Sequence, residues 1–167
     1  MTSLPLQIRI YGDNCLRSAS EPLGAFGPSE KILAETMLKT MYAAEGIGLA
    51  APQVGINRRL LVVDVGEGPL VVADPEITAS SGKGVMEEGC LSVPGAQVHV
   101  ERAEKITLVF LNIDNERVEI TCDGLLARAL QHEIDHLNGR LIVDYAADKE
   151  AEQVRAMFPQ AYQEEHS

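Results

Sequence analysis

The chain has 167 residues, 46% of them hydrophobic, which suffices for one buried core but not comfortably for two, so a single domain over residues 1–167 is expected. Its net charge of −11 argues against a phosphate-backbone binder, which would need clustered Lys and Arg, and direct DNA binding is therefore not expected. The longest apolar runs, LLVVDV and ITLVFL, are too short to span a bilayer, and no continuous hydrophobic segment near residue 1 reads as a secretion signal.

The first periodic segment follows Gly27 and Pro28, where Leu33, Met37, Met41 and Ala44 recur at helical spacing up to about Glu45. Met37 and Met41 read as core packing at this spacing. Gly46 to Gly55 reads as a loop or edge strand. Strands are predicted near Leu60 to Val65, Val71 to Asp74, Val98 to Glu101, Ile106 to Ile113 and Val118 to Thr121, with turns at GEGP and DNE. A second helix follows Asp123 and Gly124, with Asp123 offering a capping oxygen and Gly139 a left-handed stop. Its Leu126, Leu130, Ile134 and Leu137 form a core stripe, and Leu125, Ala129, His132 and His136 form the neighbouring one. Few βαβ alternations are visible, so the fold class is α+β, with short, mostly antiparallel sheets around the second helix. The tail from 146 to 167 is expected to be partly helical and is acidic, with Asp148, Glu150, Glu152, Glu164 and Glu165 against Lys149 and Arg155.

The second helix carries the string HEIDH, His132 to His136. Each helical residue advances about 100°, so the two imidazoles sit roughly 40° apart and can reach one metal ion, with Glu133 beside them. The bland reading makes them ordinary hydrogen-bonded helix residues. Proteases complete such a site downstream with a Glu or a third His, yet after His136 the next His is His166. Upstream, Cys90 stands in EEGCLSVPG among turn formers, and a thiolate there could be the third ligand. Cys15, Cys90 and Cys122 cannot all pair, and a ligand thiolate must stay reduced, which favours a reducing compartment such as the cytoplasm.

Three strings, GIGLAAPQ from Gly46 to Gln53, EGCLS from Glu88 to Ser92 and QHEIDH from Gln131 to His136, resemble in order and spacing the motifs of the bacterial peptide deformylases. The resemblance extends through ETMLKTMYAAEG, RAEKI and HLNGRLIVDY, covering roughly residues 8 to 146. It implies that Cys90, His132 and His136 hold one divalent ion, ferrous iron in the cell with zinc, nickel or cobalt also accepted. Glu133 would act as general base and then acid, and the Gln53 side-chain amide and Leu91 backbone N–H would hold the oxyanion. The implied substrate is a nascent peptide beginning with N-formyl-methionine, released as formate and a free amine. Gly46, Ile47 and Gly48, with Gly89 opposite, would let an extended peptide add as a strand. Ile47, Met86, Leu125 and Ala129 would shape the methionine pocket. Two features depart from the family pattern. Gln97 stands where many relatives carry a basic residue, and the acidic tail shows no evident basic surface for docking on ribosomal RNA, which leaves only a weak contact with the ribosome near the exit tunnel as an expectation. Two rival readings remain: a metallopeptidase built on the same HExxH, and a non-catalytic structural metal module or thiol sensor built on Cys90.

Overall fold

The computed structural model describes residues 5–167, and its first long helix, α1, spans Pro28–Ala43. Pro28 suits the first turn because its missing N–H would have no intrahelical partner there. Glu30 reaches back to accept the Gly27 N–H at 2.9 Å. Met37 and Met41 are fully buried, as their spacing predicts, and Glu45, just past the helix, turns the chain with a left-handed φ of 57°.

Five strands form an antiparallel sheet: β1 (Gly48–Ala50), β2 (Leu60–Val63), β3 (Leu70–Ser81), β6 (Lys105–Leu111) and β7 (Arg117–Asp123), in the order β1-β2-β3-β6-β7. A separate antiparallel pair joins β4 (Gly84–Glu88) to β5 (Val98–Arg102). β1 is an edge strand, as the sequence allowed, and a 3₁₀ turn at Ala51–Val54 follows it. The turns at GEGP and DNE fall between β2 and β3 and between β6 and β7.

Helix α2, Gly124–Leu137, packs on the sheet face opposite α1. Alternation along β2 makes this plain: Leu60 and Val62 pack with Met37 and Met41, whereas Leu61 and Val63 pack with Ala127, Leu130 and Leu137. A strand covered on both faces reads as an unbroken apolar run, which is why LLVV shows no alternation. A third cluster joins Val98 and Val100 to Tyr11, Leu16, Leu141, Val154 and Ala161, seating helices α3 (Lys149–Met157) and α4 (Pro159–His166).

Three details depart from expectation. β3 runs on to Ser81 past Pro75, which sits at a register shift where Asp74 takes a φ of 48°. The bulge removes the need for a ladder N–H at proline, and the Asp74 carboxylate accepts the Leu23 and Gly24 N–H groups at 2.7 and 3.0 Å. β4 was not foreseen, because Val85 and Met86 are exposed and supply no core-facing pattern. Asp123 occupies the N-cap position of α2, yet its side chain makes no capping bond; it ends β7 in extended geometry, and Gly124 turns the chain at φ 61°.

Arg17 ties the chain ends to the exit of α2. Its guanidinium donates to both Asp144 oxygens at 2.8 and 2.9 Å, to both Glu165 oxygens at 2.6 and 2.8 Å, and to the Gly139 carbonyl at 3.0 Å. Gly139 takes the predicted left-handed φ, 75°, and a Cβ there would lie 2.8 Å from the Arg17 carbonyl oxygen. Gly139→Ala should therefore cost about 2 kcal/mol, from the left-handed penalty plus the backbone clash. Urea unfolding should show a lower midpoint at unchanged slope, and a midpoint equal to the parent's would refute the constraint.

Candidate metal centre

Helix α2 brings two donors to one face, with the His132 and His136 rings 5.1 Å apart between centroids. Cys90 arrives from the turn after β4, its Sγ 3.4 Å from His136 Nε2. One donor atom from each of Cys90, His132 and His136 lies within 4.8 Å of the others. Among the described residues, this group has three donors and no fourth His, Cys, Asp or Glu within it. A soft sulfur with two imidazoles suits zinc or ferrous iron, and three protein ligands leave a coordination position open. Cys15 and Cys122 are free thiols outside the group, so neither completes a closed structural site.

The charge around the group also fits a cation. Burial opposes charging His132, yet Glu133, Cys90 and Glu88 together raise its pKa well above the ordinary value. Burial drives the pKa of His136 well down, keeping it in the neutral form that ligates metals. Anionic surroundings that hold a proton on a buried imidazole offer the same stabilisation to a divalent ion.

Sequence reasoning passed over the groups that orient His132. Glu88 accepts from His132 Nδ1 at 2.9 Å, from Arg102 Nε and Nη2 at 2.8 and 2.9 Å, and from Arg128 Nη1 at 2.6 Å. Arg102 continues to Asp135 at 2.8 Å, and the Tyr145 hydroxyl donates to the same Asp135 oxygen at 2.7 Å. With Nδ1 engaged, His132 presents Nε2 for ligation. One signal was legible: Arg128 lies four residues before His132, one turn earlier on the same helical face.

Glu133 is 4% exposed, and its Oε1 has no hydrogen-bond partner. Burial pushes its pKa up to about 7. A Cβ on Gly48 would collide with the Glu133 carboxylate, so glycine is required where β1 passes it. Gln53 is fixed at both ends: Oε1 accepts the Ala50 N–H at 2.9 Å, while Nε2 donates to Ser92 Oγ at 3.1 Å and lies 3.7 Å from Cys90 Sγ. That turns the donor end of the amide toward the metal group.

These residues border one cavity of about 500 Å³. Ile47, Gly48, Gln53, Met86, Gly89, Cys90, Leu91, Leu125, Ala129, His132 and Glu133 all line it, whereas His136, 1% exposed, lies buried behind. Ile47, Met86 and Leu125 are 44, 54 and 49% exposed, an apolar rim that core packing does not explain.

The sequence of residues 5–152 matches the family described as polypeptide deformylase. The chain belongs to that family. The peptide deformylase of Halothermothrix orenii is 52% identical over 141 residues, 83% of this chain and 92% of that protein. Peptide deformylase 1 of Clostridium acetobutylicum is 50% identical over 143 residues, covering 86% and 95% respectively. The crystal structure of a peptide deformylase from Legionella pneumophila superposes with a TM-score of 0.88 at 41% identity, covering 97% of this chain and 98% of that one. The α+β architecture with antiparallel sheets is thus the deformylase fold.

The Glu88 network makes the metal-free protein acid-sensitive. Burial raises the pKa of Glu88, but the bonds from His132 and Arg102 outweigh it and hold the value at about 2, against 4.5 for a free carboxyl. With the folded value depressed, the unfolded chain binds protons first, so stability present above pH 4.5 is lost as pH falls toward 2. The loss is on the order of 3 kcal/mol. Urea unfolding of metal-stripped protein at descending pH should show this slope in the parent and a shallower one in Glu88→Gln. Equal slopes would contradict the assignment.

Proposed function

We propose that this chain is a metal-dependent deformylase that hydrolyses the N-formyl group of peptides beginning with formyl-methionine, with residues 1–167 working as one catalytic domain. The observation that carries the reading is Glu133: a buried carboxylate, one oxygen unpartnered, on the wall of the cavity that also exposes Cys90 and His132.

Cys90, His132 and His136 would hold the ion, ferrous in the cell, with zinc, nickel or cobalt as substitutes. When bound, the ion supplies Lewis acidity that lets water give up a proton near neutral pH. Glu133 accepts a proton from water on its free oxygen and returns it to the departing amine nitrogen, as a buried carboxylate on the cavity wall is placed to do. Water supplies the oxygen that leaves in formate, and the peptide keeps its nitrogen as a free amine. The Gln53 Nε2 and the Leu91 N–H stabilise the charge that develops on the formyl oxygen.

Backbone geometry supports an extended substrate. Asp64 N–H donates to the Ile47 carbonyl at 2.9 Å, which makes Ile47 and Asp64 a hydrogen-bonded pair of the ladder. Gly48, paired with Val63 one step on, must then direct its N–H and C=O away from β2, toward the open edge that lines the cavity. A peptide can pair there with Gly89 on its other side, while Ile47, Met86, Leu125 and Ala129 receive the methionine side chain.

The setting we propose is the bacterial cytoplasm. No helix among the described residues is long and apolar enough to cross a membrane. Helices α3 and α4 carry Glu150, Glu152, Glu164 and Glu165, a poor match to RNA phosphates, so recognition of the nascent chain rests on the cavity rather than on ribosome docking by the tail.

The test is formate release from a formyl-methionyl peptide, with bound metal measured in parallel. Glu133→Gln should keep its metal and lose ~10² or more in kcat. Cys90→Ser should lose metal, and Cys15→Ser and Cys122→Ser should keep both metal and activity. Near-parent turnover by metal-replete Glu133→Gln would refute the mechanism, and cleavage of unformylated peptides at internal bonds would favour a metallopeptidase.

A further inference from the structure

Tyr42, in the last turn of α1, is 48% exposed, so core packing does not account for it. Its hydroxyl donates to Asp64 Oδ2 at 2.6 Å, and Asp64 Oδ1 accepts the Gly66 N–H at 2.9 Å and the Gly68 N–H at 3.3 Å. Both glycines take positive φ values, 106° and 102°, so the turn into β3 curls around this one carboxylate. The bond from the Tyr42 hydroxyl, foremost among its partners, holds the Asp64 carboxyl below the usual carboxylate range. On the backbone, the Tyr42 carbonyl accepts the Glu45 N–H at 3.0 Å and the Met41 carbonyl accepts the Gly46 N–H at 2.9 Å. The approach to β1 is thereby tethered to the same end of α1.

Asp64 stands one residue past β2, and its own N–H donates to the Ile47 carbonyl at 2.9 Å. The Ile47 carbonyl and the Gly48 N–H belong to one planar peptide unit and point in opposite directions, so the bond that draws the carbonyl toward β2 aims the N–H at the open edge. β1 pairs with β2 at only three positions, and ladder ends fray unless something beyond them is fixed. We propose that Tyr42 and Asp64 are positioning residues for the substrate, their hydrogen bond locking the Ile47–Gly48 peptide unit in the orientation that pairs with the incoming peptide. The proposal rests on the reading of an extended substrate at β1 and names what holds the receiving strand. Neither residue is among those lining the cavity, so both act through the Ile47 backbone. An edge aligned in advance costs the peptide less ordering on binding, so the pair acts on affinity rather than on the bond-breaking step.

The experiment measures formate release from formyl-Met-Ala-Ser amide by the metal-replete parent, Tyr42→Phe and Asp64→Ala, with amide hydrogen exchange followed by NMR on the zinc-loaded parent and Tyr42→Phe. Tyr42→Phe, which removes one hydroxyl and keeps the ring, should raise KM ~5-fold and leave kcat within ~2-fold, the pattern of binding lost equally from ground and transition states. Asp64→Ala, which also releases the glycine turn, should raise KM ~10-fold or more. In Tyr42→Phe the Asp64 amide should exchange ~10-fold faster while the amides of α2 keep the parent's rates, which a global loss of stability would not produce. A parent-like KM in both variants, a loss in kcat at constant KM, or an unchanged Asp64 exchange rate would overturn the proposal. Formate release by the parent beside an unmoved KM in the variants sinks the positioning role alone, whereas a parent inert on this peptide sinks the deformylase reading and the proposal together.

Discussion

A single buried carboxylate, Glu88, holds the metal group in position. It joins the β4 strand, which leads into Cys90, to Arg102 on β5 and to Arg128 and His132 on α2, so the elements that carry the donors share one anion. Burying one carboxylate between two guanidiniums is stabilising only while every partner is present, because an unpaired charge at that depth costs several kcal/mol. The arrangement thereby penalises states in which β4 and α2 drift apart. It also fixes which imidazole nitrogen of His132 is free to ligate.

The sheet serves the same end from the other side. β1 is a short edge strand, and its glycine passes where any side chain would strike Glu133. The 3₁₀ turn that follows carries Gln53 back so that its oxygen caps Ala50 and its nitrogen faces Ser92 and Cys90. One strand end thus supplies an open backbone edge, clearance for the Glu133 carboxylate and a fixed amide donor at Gln53. Natural folds tolerate an unpaired edge at a cost in aggregation risk, and a short strand ending in a tight turn keeps that risk small.

The donors were legible in the sequence because their geometry is local. His132 and His136 need only a helix, Glu133 follows from being between them, and Cys90 stood out among turn formers once no downstream ligand appeared. The core assignments of Met37, Met41, Leu130 and Leu137 followed from helical period and hold in the structure. Glu88, Arg102 and Asp135 were present in the same strings, but nothing in them shows which charges meet. Glu88 lies 14, 40 and 44 residues from its partners Arg102, Arg128 and His132, so their pairing depends on tertiary folding. β4 and the distal half of β3 escaped for a different reason: their side chains are largely exposed, and a strand without a buried face leaves no period to read.

The central claim is that the fold presets one sulfur and two imidazole nitrogens for a single ion and leaves a position open to water. X-ray absorption spectroscopy of the zinc-loaded protein tests it directly. The spectrum should fit one sulfur at about 2.3 Å, two histidine nitrogens at about 2.0–2.1 Å and a light-atom donor from solvent. Substituting Glu88 should broaden the nitrogen shell before the sulfur is lost. A shell without sulfur, or one closed by a fourth protein ligand, would contradict the claim.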